Sequence, residues 1–97
     1  MTTVGMSTNA EWIKIDPQRV LQALQQEAVD KVNSAQGEVI LDFSSVLRID
    51  SNVVGAMEQL AGLAEEKSVK VVLRAVNVDI YKVLKLMKLT QRFSFLT

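Results

Sequence analysis

Apolar residues fall along this chain in two alternating rhythms. Short runs of strand-forming residues are separated by longer stretches in which apolar side chains return every three or four positions. Trp12-Ile13-Lys14-Ile15 is the first run. Asp16-Pro17 follows, a pair suited to starting a helix, because Asp can cap free amides and Pro at the first helical position gives up no hydrogen bond. Leu21, Leu24, Ala28 and Val32 then recur at helical spacing until Asn33-Ser34-Ala35-Gln36-Gly37, where a glycine can take positive φ. Val39-Ile40-Leu41-Asp42-Phe43 is continuous enough to be a buried central strand. Ser44 to Ile49 reads as a connector with a short apolar stretch of its own. After Asp50-Ser51-Asn52, Val53, Ala56, Met57, Leu60, Leu63 and Ala64 line one helical face, with Glu58, Glu65 and Glu66 off it. Lys70 to Ala75 is the next strand. Val76 to Val78 is read as a turn, with Asp79 as the cap of a third helix whose stripe is Ile80, Val83, Leu84 and Met87. Arg92 to Leu96 supplies a last short segment.

The order is β-α-β-α-β-α, and helices between strands imply crossover connections and a largely parallel sheet. The core expected from these stripes is Ile13, Ile15, Leu21, Leu24, Val39, Ile40, Leu41, Met57, Leu60, Val72, Leu73, Val83 and Leu84. With 97 residues, 48% of them hydrophobic and 23% charged, the chain is one folded domain over 1–97. Residues 1–9 are polar and read as irregular, or as a weak edge strand around Val4 to Met6. Met1 to Ala10 has neither the basic start nor the apolar run of a secretory signal, and no apolar stretch is long enough to span a bilayer. A small cytoplasmic α/β domain is the expectation.

The chain contains no cysteine and no histidine. Disulfides, thiol nucleophiles, imidazole catalysis and Cys/His metal sites are thereby excluded from it. Neither a phosphate-binding P-loop nor a dinucleotide fingerprint is present. Asp42 and Asp50 are the one pair of carboxylates worth weighing for acid–base chemistry, but their spacing does not bring them together. The expectation is a protein that is not an enzyme and uses no cofactor or metal.

A net charge of zero hides an asymmetry. Residues 1–66 carry four bases and ten acids, a net of −6, while residues 67–97 carry seven bases and one acid, a net of +6. Lys82, Lys85, Lys88 and Arg92 lie mostly off the apolar stripe of the third helix. A solvated helix face is the simpler reading; a contact with nucleic acid or an anionic membrane is the sharper one. Neither nucleic-acid binding nor direct membrane insertion is expected. Trp12 and Tyr81 sit in different elements and are read as core or rim packing.

The segment with chemical interest is Asp50-Ser51-Asn52, at the start of the strongest helix. A helix start presents unpaired N–H groups and partial positive charge. A hydroxyl there can serve as a cap, or it can accept a phosphoryl group, which adds about −1.5 to −2 charge.

Here the sequence resembles the STAS domain family, the anti-sigma factor antagonists, over roughly Ile13 to Phe93. That family has an apolar strand ending in Asp, a short connector, and Asp-Ser-Ser-Gly-Leu-Gly opening a helix. Val39 to Phe43 and Asp50-Ser51-Asn52-Val53-Val54-Gly55 stand in those places. Val71-Val72-Leu73 resembles the next strand, and Val83-Leu84-Lys85-Leu86-Met87-Lys88-Leu89 the family's last helix. Lys14 to Asp16 keeps only the acid and an apolar neighbour of an early family motif. Val53 and Lys88 replace family glycines, and Asn52 replaces a small Ser or Thr.

The resemblance implies a STAS-like α/β fold: a mixed, mostly parallel sheet of four to five strands with helices mainly on one face. It implies a signalling adaptor that binds an anti-sigma factor reversibly, the anti-sigma factor acting as a serine kinase on Ser51 and a phosphatase resetting it. Arg48, Asp50, Ser51, Asn52, Val53 and Val54 are the expected partner-binding residues, and Asp42 is a weaker candidate near the same edge. The alternative is an accessory subunit of a membrane lipid-transport ABC complex. In it Ser51 would be only a helix cap, and Val53 and Val54 would make a constitutive apolar contact with a transporter ATPase.

Overall fold

The computed structural model describes residues 10–96. β1 is Ala10–Lys14. A long helix follows in three pieces, Val20–Gln22 in α geometry, Ala23–Ala28 in the wider π geometry and Val29–Ser34 in α geometry again; together they are α1. β2 is Glu38–Asp42, α2 is Ser51–Lys67, β3 is Lys70–Arg74, α3 is Val78–Leu86 and β4 is Ser94–Leu96.

The four strands form one sheet in chain order, β1-β2-β3-β4, and every pairing is parallel. The fold class is as expected, but the sheet described is wholly parallel rather than mixed. The weak strand expected around Val4 to Met6 lies outside the described residues. Right-handed crossovers between sequential parallel strands place all three helices on one face. The register shows which face that is. Ile13, Leu41, Leu73 and Phe95 stand in one row across the sheet and pack into the core with Leu24, Ala28, Val32, Met57, Leu60, Ile80 and Leu84 from the helices. Trp12, Ile40, Val72 and Ser94 form the neighbouring row on the opposite face, since successive strand residues alternate. Ile40 and Val72 are buried there without belonging to the main core cluster. Trp12 is 54% exposed, with the Arg74 guanidinium 5.8 Å from its ring centroid, so it packs at the rim of the helix-free face.

Of the expected core, Leu21 and Val83 are only half-buried; the rest is buried. The core also takes in Phe43 and Val46 from the connector, and Leu89 and Phe93 from the segment before β4.

Two helix starts differ from expectation. Asp16-Pro17 opens a turn, not the helix itself: Asp16 Oδ1 accepts from the Gln18 amide at 2.9 Å, and α1 begins only at Val20. For α3 the cap is Asn77 in place of Asp79, its Oδ1 accepting from the Ile80 amide at 2.8 Å.

The ends of α2 and α3 share one motif. At α2 the Val69 amide bonds the Ala64 carbonyl at 2.9 Å and the Ser68 amide bonds that of Glu65 at 3.3 Å. At α3 the Leu89 amide bonds the Leu84 carbonyl at 2.8 Å and the Lys88 amide bonds that of Lys85 at 3.1 Å. Both are Schellman ends, which require a left-handed residue. Ser68 at φ 57° and Lys88 at φ 61° supply it without being glycine. Lys88 thus adopts the left-handed turn although it lacks the freedom of the family's glycine.

Left-handed backbone costs an L-residue about 1–2 kcal/mol, partly offset for glycine by the entropy it loses on folding. Ser68→Gly and Lys88→Gly are each expected to raise unfolding stability by about 0.5–1 kcal/mol, measured by urea titration.

Candidate functional site

Asp50 and Ser51 lie where the connector from β2 becomes α2. The connector is held at several points. Phe43 and Val46 are buried, and the Val46 amide bonds the Phe43 carbonyl at 2.9 Å. Asn77, while capping α3 through Oδ1, donates from Nδ2 to the Leu47 carbonyl at 2.9 Å and to the Val46 carbonyl at 3.3 Å. One side chain therefore joins the connector to the start of α3. No sequence motif marked Asn77, which reads as an ordinary turn residue.

Asp50 is extended, at φ −111° and ψ −178°, and its Oδ1 accepts from the Val53 amide at 2.9 Å. The Asp50 carbonyl accepts from the Val54 amide at 3.0 Å, beginning the helical ladder. The cap is therefore the carboxylate of Asp50. Ser51 is the first helical residue, exposed, and its hydroxyl does not make the cap bond. A carboxylate at this end also interacts favourably with the helix dipole.

Shallow grooves flank this helix start. Between α2 and α3 lies one of about 300 Å³, with Ile49, Ser51, Val54, Gly55, Val83 and Met87 along it and Glu58 at its rim. Another of about 300 Å³ lies beside the β1–α1 turn, lined by Pro17, Leu21, Arg48, Asp50 and Val53. Gly55 shapes the first groove, because a Cβ built there meets nothing within 4 Å.

These positions sort the expected binding residues. Arg48, Asp50, Ser51 and Asn52 are exposed and adjacent. Val53 and Val54 are only 5% and 6% exposed and belong to the core, so each offers a groove no more than an edge. The helical stripe demands this of Val53, and Val54, three residues before Met57, joins it in the core, so the apolar contact surface expected of them is taken up by the fold. Asp42 is directed to the helix-free face. It accepts from the Ser44 amide at 2.9 Å and from the Arg74 guanidinium at 3.3 Å, and it makes no bond to the Asp50–Ser51 turn among the described residues. Ile49 adjoins Asp50 in the chain, and Gly55 and Glu58 follow Ser51 at i+4 and i+7 on the same helical face, so spacing alone could have found them; Val83 and Met87 join the site only through tertiary packing. Among the described residues no group of acidic side chains is arranged to hold a metal ion.

The family profile described as "Mlab, STAS domain" matches residues 15–97. The chain belongs to the STAS family. Solved STAS structures share its fold. An anti-sigma-factor antagonist (STAS) domain protein from Planctomyces limnophilus superimposes with a TM-score of 0.73 at 14% identity, covering 89% of this chain and 81% of that one. A structure from Thermotoga maritima, described as a candidate anti-sigma factor antagonist, gives a TM-score of 0.69 at 20% identity, over 92% of this chain and 74% of that one. No curated protein matches the sequence significantly. In this STAS domain the Asp-Ser pair of the resemblance is Asp50-Ser51, at the connector–helix junction just described.

Because Asp50 carries the cap, Asp50→Ala is expected to lower unfolding stability by about 1 kcal/mol, whereas Ser51→Ala stays within about 0.5 kcal/mol of wild type in the same urea titration. Asp42 is expected to show in the acid limb. Burial alone would push its carboxyl up, but the Ser44 amide and hydroxyl and the Arg74 guanidinium outweigh that and hold it below its ordinary 3.8. A depressed carboxyl contributes stability above its unfolded pKa and loses it as pH falls through the folded value. Between about pH 5 and pH 2, Asp42→Asn is therefore expected to lose less stability than wild type, measured by thermal melts across that range.

Proposed function

We propose that this STAS domain is a non-catalytic adaptor that docks on a protein partner through the Ser51 end of α2 and its adjoining groove, and that phosphorylation of Ser51 releases it. The observation that carries this reading is the division of labour at the helix start. Asp50 takes the Val53 amide of the first turn, and the neighbouring Ser51 is exposed beside an apolar groove. A phosphate there would add about −1.5 to −2 charge next to the Asp50 carboxylate. The helix dipole tolerates that charge, so the fold would persist while a partner seated over the helix start would meet new bulk and repulsion. The partner class supported by the resemblance is an anti-sigma factor acting as a serine kinase, with a phosphatase for reset. Transcription regulation follows from that partner.

A second reading is a constitutive accessory subunit of a transporter ATPase. It is favoured by the type of family profile that matches, which is described by the name Mlab and not as an anti-sigma factor antagonist. In this reading the same groove is occupied permanently and Ser51 stays unmodified. The capping role it assigned to Ser51 belongs to Asp50.

Affinity capture from the native cell, followed by mass spectrometry of both bait and prey, tests the docking surface and separates the two readings. Ser51→Ala is expected to retain its partner and Ser51→Glu to lose at least about ten-fold in capture, a difference of about 1.4 kcal/mol. At Gly55 a Cβ meets open space, and Gly55→Gln replaces a helical glycine while directing a side chain toward the groove, so it is expected to keep or raise the stability of the domain yet weaken capture similarly. A kinase-type prey with phosphate on Ser51 supports release by phosphorylation. An ATPase prey with Ser51 unmodified supports the second reading. Capture unchanged by both Ser51→Glu and Gly55→Gln would place the docking surface elsewhere.

A further inference from the structure

The charge asymmetry of the chain is partly cancelled by folding. Of the seven bases in residues 67–97, three pair with acids from the first 66 residues. Lys70 meets Glu38 at 3.8 Å, Arg74 meets Asp42 at 3.3 Å and Arg92 meets Glu65 at 2.9 Å. Arg92 makes two bonds to the Glu65 carboxylate and is thereby removed from the basic face expected around it. Lys82, Lys85 and Lys88 have no acidic partner within 4 Å among the described residues. Of the four bases left, Lys67 ends α2, while Lys82, Lys85 and Lys88 cluster on α3 and its terminal turn, with Asp79 as the acid of that helix.

Those three lysines surround an apolar projection. Leu86 is 81% exposed, the highest value among the large hydrophobic side chains described. The aliphatic stems of Lys82, Lys85 and Lys88 flank it, forming a predominantly apolar surface with ammonium groups at the perimeter. A solvated helix face does not need a leucine at its most prominent position. Protein-binding hot spots favour Trp, Tyr and Arg seated in pockets. Here an exposed leucine, next to the part-exposed Met87 and on the same helix as the exposed Val78 and Tyr81, is flanked by long flexible cations that can lay their stems along an apolar medium and keep their heads wet. That arrangement is complementary to the headgroup layer of an anionic bilayer: phosphates for the lysines, and the acyl boundary for Leu86.

We infer that the α3 face built from Lys82, Lys85, Lys88 and Leu86 rests on anionic phospholipid surfaces as a peripheral, salt-sensitive contact. It uses other side chains than the Ser51 groove, although Val83 and Met87 of that groove belong to the same helix and its terminal turn. No segment needs to cross the bilayer, and no helix described here is long and apolar enough to do so. Three cations and one leucine make a weak contact by themselves, sufficient to bias the orientation of a protein already brought near a membrane.

The test is co-sedimentation of the full chain with vesicles of phosphatidylcholine containing about 30% phosphatidylglycerol, against vesicles of phosphatidylcholine alone. Binding is expected on the anionic vesicles, absent on the neutral ones, and lost between about 50 and 500 mM salt. Lys82→Gln and Lys85→Gln are each expected to weaken it about five-fold, and Leu86→Ser to weaken it without changing its salt dependence. All three side chains are exposed, so urea titration of the same variants checks that the fold is intact. The proposal is overturned by equal binding to both vesicle types, by no binding to the anionic ones, or by anionic binding that survives all three substitutions in one chain. Retention on immobilised polyglutamate without vesicle binding also overturns it, and assigns the face to an acidic polypeptide.

Discussion

The amide side chain of Asn77 is the constraint on which the candidate site depends. The chain must leave β2, cross the end of the sheet and enter α2 at a set angle, and nothing in regular secondary structure fixes the eight residues that do so. Asn77 fixes them from outside. Its oxygen is committed to the first turn of α3, so its nitrogen is aimed at the carbonyls of Val46 and Leu47. With Phe43 and Val46 buried beneath, the connector has both a polar and an apolar anchor. The starts of α2 and α3 are then held close, and the groove between these helices follows from that placement.

The second determinant is which atom caps α2. Had a hydroxyl done so, modifying it would have removed a structural bond along with any signal. The carboxylate of Asp50 separates the two tasks. Stability rests on one residue and the exposed hydroxyl on the next, so chemistry at Ser51 need not be paid for in folding free energy.

How much of this could be read from residues alone varied with the range of the interactions. β2, β3 and α2 were legible because each buries an uninterrupted run or stripe, and burial imposes period 2 or 3.6 on the sequence. The start of α1 was not, because Asp16 satisfies its own turn before the helix begins. Its middle was not either: the wider turn at Ala23–Ala28 leaves Leu24, Ala28 and Val32 four residues apart, a spacing that an ordinary helix also shows. Asp79 and Asn77 are both good caps, and only the path of the connector decides between them. At the site, exposure of Asp50 and Ser51 followed from their position at a helix start. The inward turn of Val53 was legible in the stripe it shares with Met57 although it was also read as contact surface; Val54, left out of that stripe, was read as contact surface alone. Gly55, Val83 and Met87 share a groove only because α3 packs beside α2, a relation that spacing within one helix does not carry.

The order of the strands has a consequence for assembly. Each strand pairs with the one synthesised immediately before it, and the helix needed to cover each new pair is already made when the later strand emerges. The described sheet can grow at a single advancing edge, since none of its four strands must wait for a mate distant in sequence. The shortest described strand, Ser94–Leu96, stands at that edge and is last in the order, so three residues of β4 complete a sheet whose other strands already pair with one another.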